Sequence, residues 1–125
     1  MNRITPLEWS EMSDLHDLLG PVQERMGFVP TSQRVMARKP KILQAFIALT
    51  RAIYDPEAEV PLPLRNMVAM VASQTAGCLY CQAHTGSNAS RAGLSAEKIA
   101  AVWEFETSPL FTEAERAALR FTVAA

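Results

Sequence analysis

Residues 66–85 read Asn66-Met67-Val68-Ala69-Met70-Val71-Ala72-Ser73-Gln74-Thr75-Ala76-Gly77-Cys78-Leu79-Tyr80-Cys81-Gln82-Ala83-His84-Thr85. The first half continues a run, Leu64 to Thr75, that holds no Gly or Pro and is rich in Met, Val and Ala. Its composition predicts a mostly buried helix, with Met67 and Met70 as core filler. Gly77 suits the position just past the helix end, where a positive φ costs a glycine least. Cys78 then begins a second helix, expected to run to about Ala92 and to stop at Gly93. Two helices joined by so short a link set the fold class.

The punctuation outward from this pair is helical too. Thr5-Pro6-Leu7-Glu8 has the pattern of a capping box with Pro at the first helical position. Gly20 or Pro21 is expected to end that helix, and a short one, Val22 to Met26, stops at Gly27. Phe28-Val29-Pro30 reads as an extended link, because Pro disfavours helix at the residue before it. Ser32 to Arg38 is read as helical. Pro40 opens the next helix, in which Ile42, Leu43, Phe46, Ile47, Leu49 and Ile53 make a broad apolar face. Asp55-Pro56 ends it, and 58–63 is a loop. Ser95 caps a helix to Phe105 with Glu97 in its first turn, and Thr112-Glu113-Ala114-Glu115 is a second capping box. No segment alternates with period two, so no sheet is assigned. The expectation is one all-α domain over residues 1–125.

Composition bounds the function. The chain has 125 residues, 12 Lys and Arg against 13 Asp and Glu, and a net charge of −1. A phosphate-backbone binder needs a basic excess on one face, so nucleic acid is an unexpected partner. A polybasic membrane anchor fails on the same count. Met1-Asn2-Arg3-Ile4-Thr5-Pro6 carries no apolar leader, and no stretch approaches the roughly 18 to 20 apolar residues of a membrane span. A cytoplasmic location is expected. In a reducing compartment, a lone Cys-x-x-Cys is redox-active or metal-binding more often than a staple.

The chemistry is concentrated in 77–85. At helical spacing Cys81 has Cys78 one turn before it and His84 one turn after it. A helix N-terminus, a second thiol and a nearby imidazole each favour a thiolate, and can bring a Cys pKa from about 8.5 to between roughly 3.5 and 7.5. Attack on a peroxide leaves a sulfenic acid, which the partner cysteine converts to a disulfide. The helix dipole favours Cys78 as the attacking thiol; His84 favours Cys81, and weighs more because a proton must reach the leaving oxygen. A structural zinc site is disfavoured, since only His84 and the remote His16 could add to the cysteines. Two inert buried thiols are the bland alternative, and the adjacent His weighs against it. His16 reads as a solvated surface residue. Trp9, Trp103 and Phe105 read as core or interface aromatics, and Glu104 and Glu106 lack a paired acid for two-carboxylate chemistry.

The segment NMVAMVASQTAGCLYCQAHT resembles the carboxymuconolactone decarboxylase and alkylhydroperoxidase-D-like superfamily, and MGFVPTSQRVMARKPKILQAFIAL, from Met26 to Leu49, is similar to its peroxidase-related members. The resemblance implies an all-helical, oligomeric fold (trimer, hexamer or dimer) with the active site in a helical hairpin near a subunit interface. It implies that Cys81 is peroxidatic, that Cys78 resolves it, and that His84 joins a proton relay. It implies no metal and no organic cofactor. The reductant would be an external dithiol, in the best-known branch a lipoyl group on a partner protein. Where the family's relay often has Glu, this chain has Asn66; where the His typically stands, it has Thr85. Asn66, Tyr80, Gln74 and Thr85 are the candidate relay or supporting residues. The expected function is a thiol peroxidase acting on alkyl hydroperoxides. A general dithiol–disulfide oxidoreductase or redox sensor, and a non-catalytic oligomeric binding protein, are the alternatives. The apolar Ala117, Leu119, Phe121 and Val123 near the end of the sequence predict either a shortened chain or completion by neighbouring subunits.

Overall fold

The computed structural model describes residues 3–125, and all regular structure among them is helical. Met1 and Asn2, the start of the 1–6 stretch read above, lie outside the described residues. The chain divides into two compact units, Met1–Ile53 and Tyr54–Ala125.

In the first unit Thr5 does not cap a helix. Leu7 donates its N–H to the Arg34 carbonyl (3.2 Å) and accepts from Arg34 Nε (2.7 Å), while Arg38 Nε donates to the Thr5 carbonyl (2.7 Å). These bonds tie Thr5 and Leu7 to Arg34 and Arg38 in place of a helical turn. The chain starts to coil at Glu8, whose N–H is taken by Glu11 Oε2 (2.7 Å). A 3-10 helix, Trp9–Leu15, leads into α1, His16–Met26.

The expected break at Gly20-Pro21 is absent: Pro21 lies inside α1. Its ring removes one helical hydrogen bond, but continuing the helix buries Leu19 and Val22 on one face. Each fully buried aliphatic side chain is worth roughly 1.5–3 kcal/mol, which offsets a loss of about 3 kcal/mol at the proline. Gly27 (φ 79°) ends the helix. Next come α2, Thr31–Met36, and α3, Pro40–Ile53. Of the broad apolar face expected on α3, only Leu43 and Ile47 are buried. Ile42, Phe46, Leu49 and Ile53 are exposed, at spacings of four, three and four, so α3 carries a second apolar stripe outside the core.

The second unit is built on a helical hairpin. α4 spans Leu62–Thr75, starting two residues earlier than expected, because Pro63 at the second helical position needs no N–H partner. α5 spans Leu79–Arg91. Met67, Met70, Val71 and Ala89 are buried between them and the rest of the unit. Gly93 (φ 90°) and Leu94 close α5, with Leu94 N–H on the Ala89 carbonyl (3.1 Å). Ser95 caps α6, Ala96–Ala100, through its Oγ on Lys98 N–H (3.1 Å), and the expected longer helix tightens to a 3-10 turn, Ala101–Glu104.

The second capping box forms as read. Glu115 N–H donates to Thr112 Oγ1 (3.2 Å), Thr112 N–H to Glu115 Oε2 (2.8 Å), and α7 runs Glu113–Ala124. Its Leu119 is fully buried in the same core as Met67 and Val102. Arg116 donates from Nε to the Phe105 carbonyl (3.0 Å) and from a terminal nitrogen to the Ser108 carbonyl (2.9 Å), fixing α7 on the preceding loop.

Candidate redox site

The turn between α4 and α5 decides where the cysteines sit. Ala76 closes α4, and Gly77 follows in the left-handed region at φ 67°. Gly77 N–H donates to the Gln74 carbonyl (2.8 Å) and Cys78 N–H to the Ser73 carbonyl (2.9 Å). This paired closure satisfies two of the carbonyls that a helix end leaves open. Cys78 is at once the last partner of α4 and the N-cap of α5. Its backbone is extended (φ −87°, ψ 92°), and its Sγ accepts the N–H of Cys81 at 3.3 Å. A sulfur thus does the work that Ser, Asp or Asn usually does at this position.

Cys78 and Cys81 are joined in a disulfide across the first turn of α5, with their Cα atoms 5.3 Å apart. Both are half-buried, and so is His84, one turn beyond Cys81. Tyr80 lies over His84 with ring centroids 6.1 Å apart and planes 8° from parallel. Leu79 and Tyr80 are exposed beside the sulfurs, at 80% and 66%. The arrangement can take up two electrons at a sulfur–sulfur bond to give two thiols, and release them again, with an imidazole on the neighbouring turn able to take or give a proton.

The other candidates fall in two places. Thr85 is on α5, and its hydroxyl donates to the carbonyls of Cys81 (2.8 Å) and Gln82 (3.2 Å), which makes it a brace for the turn that carries Cys81. Gln74 is exposed in the last turn of α4. Asn66 is 2% exposed inside α4; its Nδ2 donates to the Leu62 carbonyl (3.0 Å), and its Oδ1 is buried with no hydrogen-bond partner. Trp9 stacks on His16 at 4.0 Å, and His16 Nε2 contacts the Trp9 carbonyl (2.9 Å), so that His is a half-buried partner of the 3-10 helix rather than a solvated side chain. Among the described residues no group of three or more His, Cys, Asp or Glu side chains is placed to hold a metal ion, and no helix is long and apolar enough to cross a membrane.

The hairpin and its cysteine pair lie within residues 40–124, which match the model of the carboxymuconolactone decarboxylase family. The chain belongs to that family. No curated protein matches it. Two solved structures are similar over 99% of this chain: apo debrominase Bmp8, at 35% identity, and a cysteine-to-alanine variant of the same debrominase with 2,3,4-tribromopyrrole, at 34%, each with a TM-score of 0.88. This chain spans 66% of the length of those two.

Proposed function

We propose that the protein is a thiol-dependent peroxidase that reduces alkyl hydroperoxides through Cys81 and Cys78. The observation that carries the reading is the disulfide across the first turn of α5, with His84 on the next turn. In the reduced protein the Cys81 thiolate attacks the terminal peroxide oxygen. The O–O bond breaks, the alkoxide takes a proton from His84 and leaves as alcohol, and Cys81 becomes a sulfenic acid. Cys78 sulfur then attacks Cys81 sulfur, hydroxide leaves with a proton as water, and the disulfide forms. An external dithiol restores both thiols and is itself oxidised. The chain needs no metal for any of these steps.

Stopped-flow mixing of reduced protein with cumene hydroperoxide tests this. Both thiols of each chain should be consumed as one alcohol appears. A Cys81→Ser variant reacting as fast as the parent would sink the assignment.

A second reading is favoured by the likeness to debrominase Bmp8 across 99% of this chain. The same two electrons can replace a ring bromine by hydrogen. Cys81 sulfur takes the bromine, the ring carbon takes a proton, and Cys78 displaces bromide to form the disulfide. Reduced protein mixed with a bromopyrrole should then release one bromide per disulfide formed. Bromide release without reaction toward cumene hydroperoxide selects this reading over the first.

A further inference from the structure

A proton-transferring histidine is oriented by the bond its second ring nitrogen makes, most often to a carboxylate or a backbone carbonyl. His84 has no such holder. Among the described residues neither of its ring nitrogens is hydrogen-bonded to the protein, and no carboxylate pairs with it. Its recorded contact is with a ring. Tyr80, four residues earlier on the same face of α5, stacks on the imidazole with planes 8° apart and centroids 6.1 Å apart. That separation and tilt are those of an offset stack. The Tyr80 hydroxyl makes no hydrogen bond to the described residues either, so the ring alone makes the contact. Tyr80 is 66% exposed and belongs to neither buried core. The stack is therefore what this side chain contributes.

We infer that Tyr80 is the positioning residue of the site: its ring, not its hydroxyl, holds the His84 imidazole in the plane from which a ring N–H reaches the departing oxygen. The inference rests on the peroxidase reading above, which supplies that oxygen, and gives the stack the part that a carboxylate or carbonyl plays at other histidines. Stacking engages the face of the imidazole, whereas both nitrogens lie on its edge. Orientation is thus gained while both nitrogens stay open to a proton donor or acceptor. In the step itself Cys81 sulfur bonds to the terminal peroxide oxygen and the O–O bond breaks. The proton passes from a His84 nitrogen to the alkoxide oxygen, and Tyr80 gains and loses nothing.

Leaving groups separate this role from a merely structural one. An alkoxide leaves badly without a proton, whereas the carboxylate released from a peracid leaves without one. Thiol consumption by reduced Tyr80→Leu, followed by stopped flow, should be about 10- to 100-fold slower than in the parent with cumene hydroperoxide, yet within about twofold of it with peracetic acid. Tyr80→Phe, which keeps the ring, should match the parent with both oxidants. A Phe variant as slow as the Leu variant overturns the inference. So does a Leu variant slowed equally with both oxidants, or one as fast as the parent with both.

The stack is also read without turnover. In NMR spectra of the disulfide form, His84 should show unequal three-bond couplings to its two β-protons, the mark of one side-chain rotamer. They should stay unequal in Tyr80→Phe and converge in Tyr80→Leu. That pattern in a protein that consumes no hydroperoxide counts against the peroxidase reading and leaves the orienting stack standing. Couplings that stay unequal in the Leu variant of a protein that does consume hydroperoxide overturn the stack's role alone.

Discussion

Asn66 shows what a single buried residue can cost. Its Oδ1 has no partner at 2% exposure, and a buried acceptor left unsatisfied forfeits roughly 1–3 kcal/mol. Asn66→Leu, which keeps the branched skeleton and removes both polar atoms, should therefore stabilise the fold by about 1 kcal/mol in urea unfolding. A loss of stability on that substitution would mean that Oδ1 is satisfied. If the variant is more stable and slower with hydroperoxide, the orphaned oxygen serves the reaction. Leu119, fully buried on α7, gives the opposite case: Leu119→Ala should cost about 2–5 kcal/mol by the same measurement. The cysteines and His84 were legible at this scale, because three-residue spacing on one helix face needs no tertiary information. The Tyr80–His84 stack was within reach of the same reasoning, since the two are four apart. The Trp9–His16 stack was not, because the kinked 3-10 stretch between them follows no helical period.

The elements were most legible where a backbone group forces the residue type. Gly27, Gly77 and Gly93 end helices at positive φ as their positions indicate, and the box at Thr112 forms with both of its bonds. Thr112→Ala should lower stability by about 1 kcal/mol in thermal or urea unfolding. At Gly77 a methyl group would meet nothing within 4 Å, so room is not the issue; an L-residue at φ 67° is. Gly77→Ala should cost roughly 1–2 kcal/mol in urea unfolding. The N-terminal reading failed for a long-range reason. Thr5 and Leu7 are held by Arg38 and Arg34, about thirty residues on, and no local pattern reports such a partner. Pro21 failed for a related one: core burial of Leu19 and Val22 outweighs a local breaker.

Across the molecule, charge and apolar surface set the response to solution conditions. Hydrogen bonds from Arg120, at 2.7 Å to each, hold the carboxyls of Glu106 and Glu113 below their ordinary value of 4.5. Burial opposes ionisation of Glu115, but Lys98 and the Thr112 amide prevail and its pKa is lowered too. A carboxyl whose folded pKa is depressed adds stability above its unfolded pKa and loses it as pH falls through the folded one. Melting temperature should therefore decline as pH drops below 4.5, and Arg120→Gln should flatten that decline. The Arg120 pairs are exposed, so added salt should shrink the difference.

The stripe of Ile42, Phe46, Leu49 and Ile53 was legible as apolar but not as uncovered, since periodicity reports that a face is greasy and not what lies against it. It leaves apolar surface of the folded chain open to water while the helices are intact. Reporter dyes such as ANS, whose fluorescence rises on hydrophobic surface, should brighten on the folded chain. Their signal would mistake a folded sample for a melting one, so the unfolding measurements above belong to circular dichroism or calorimetry.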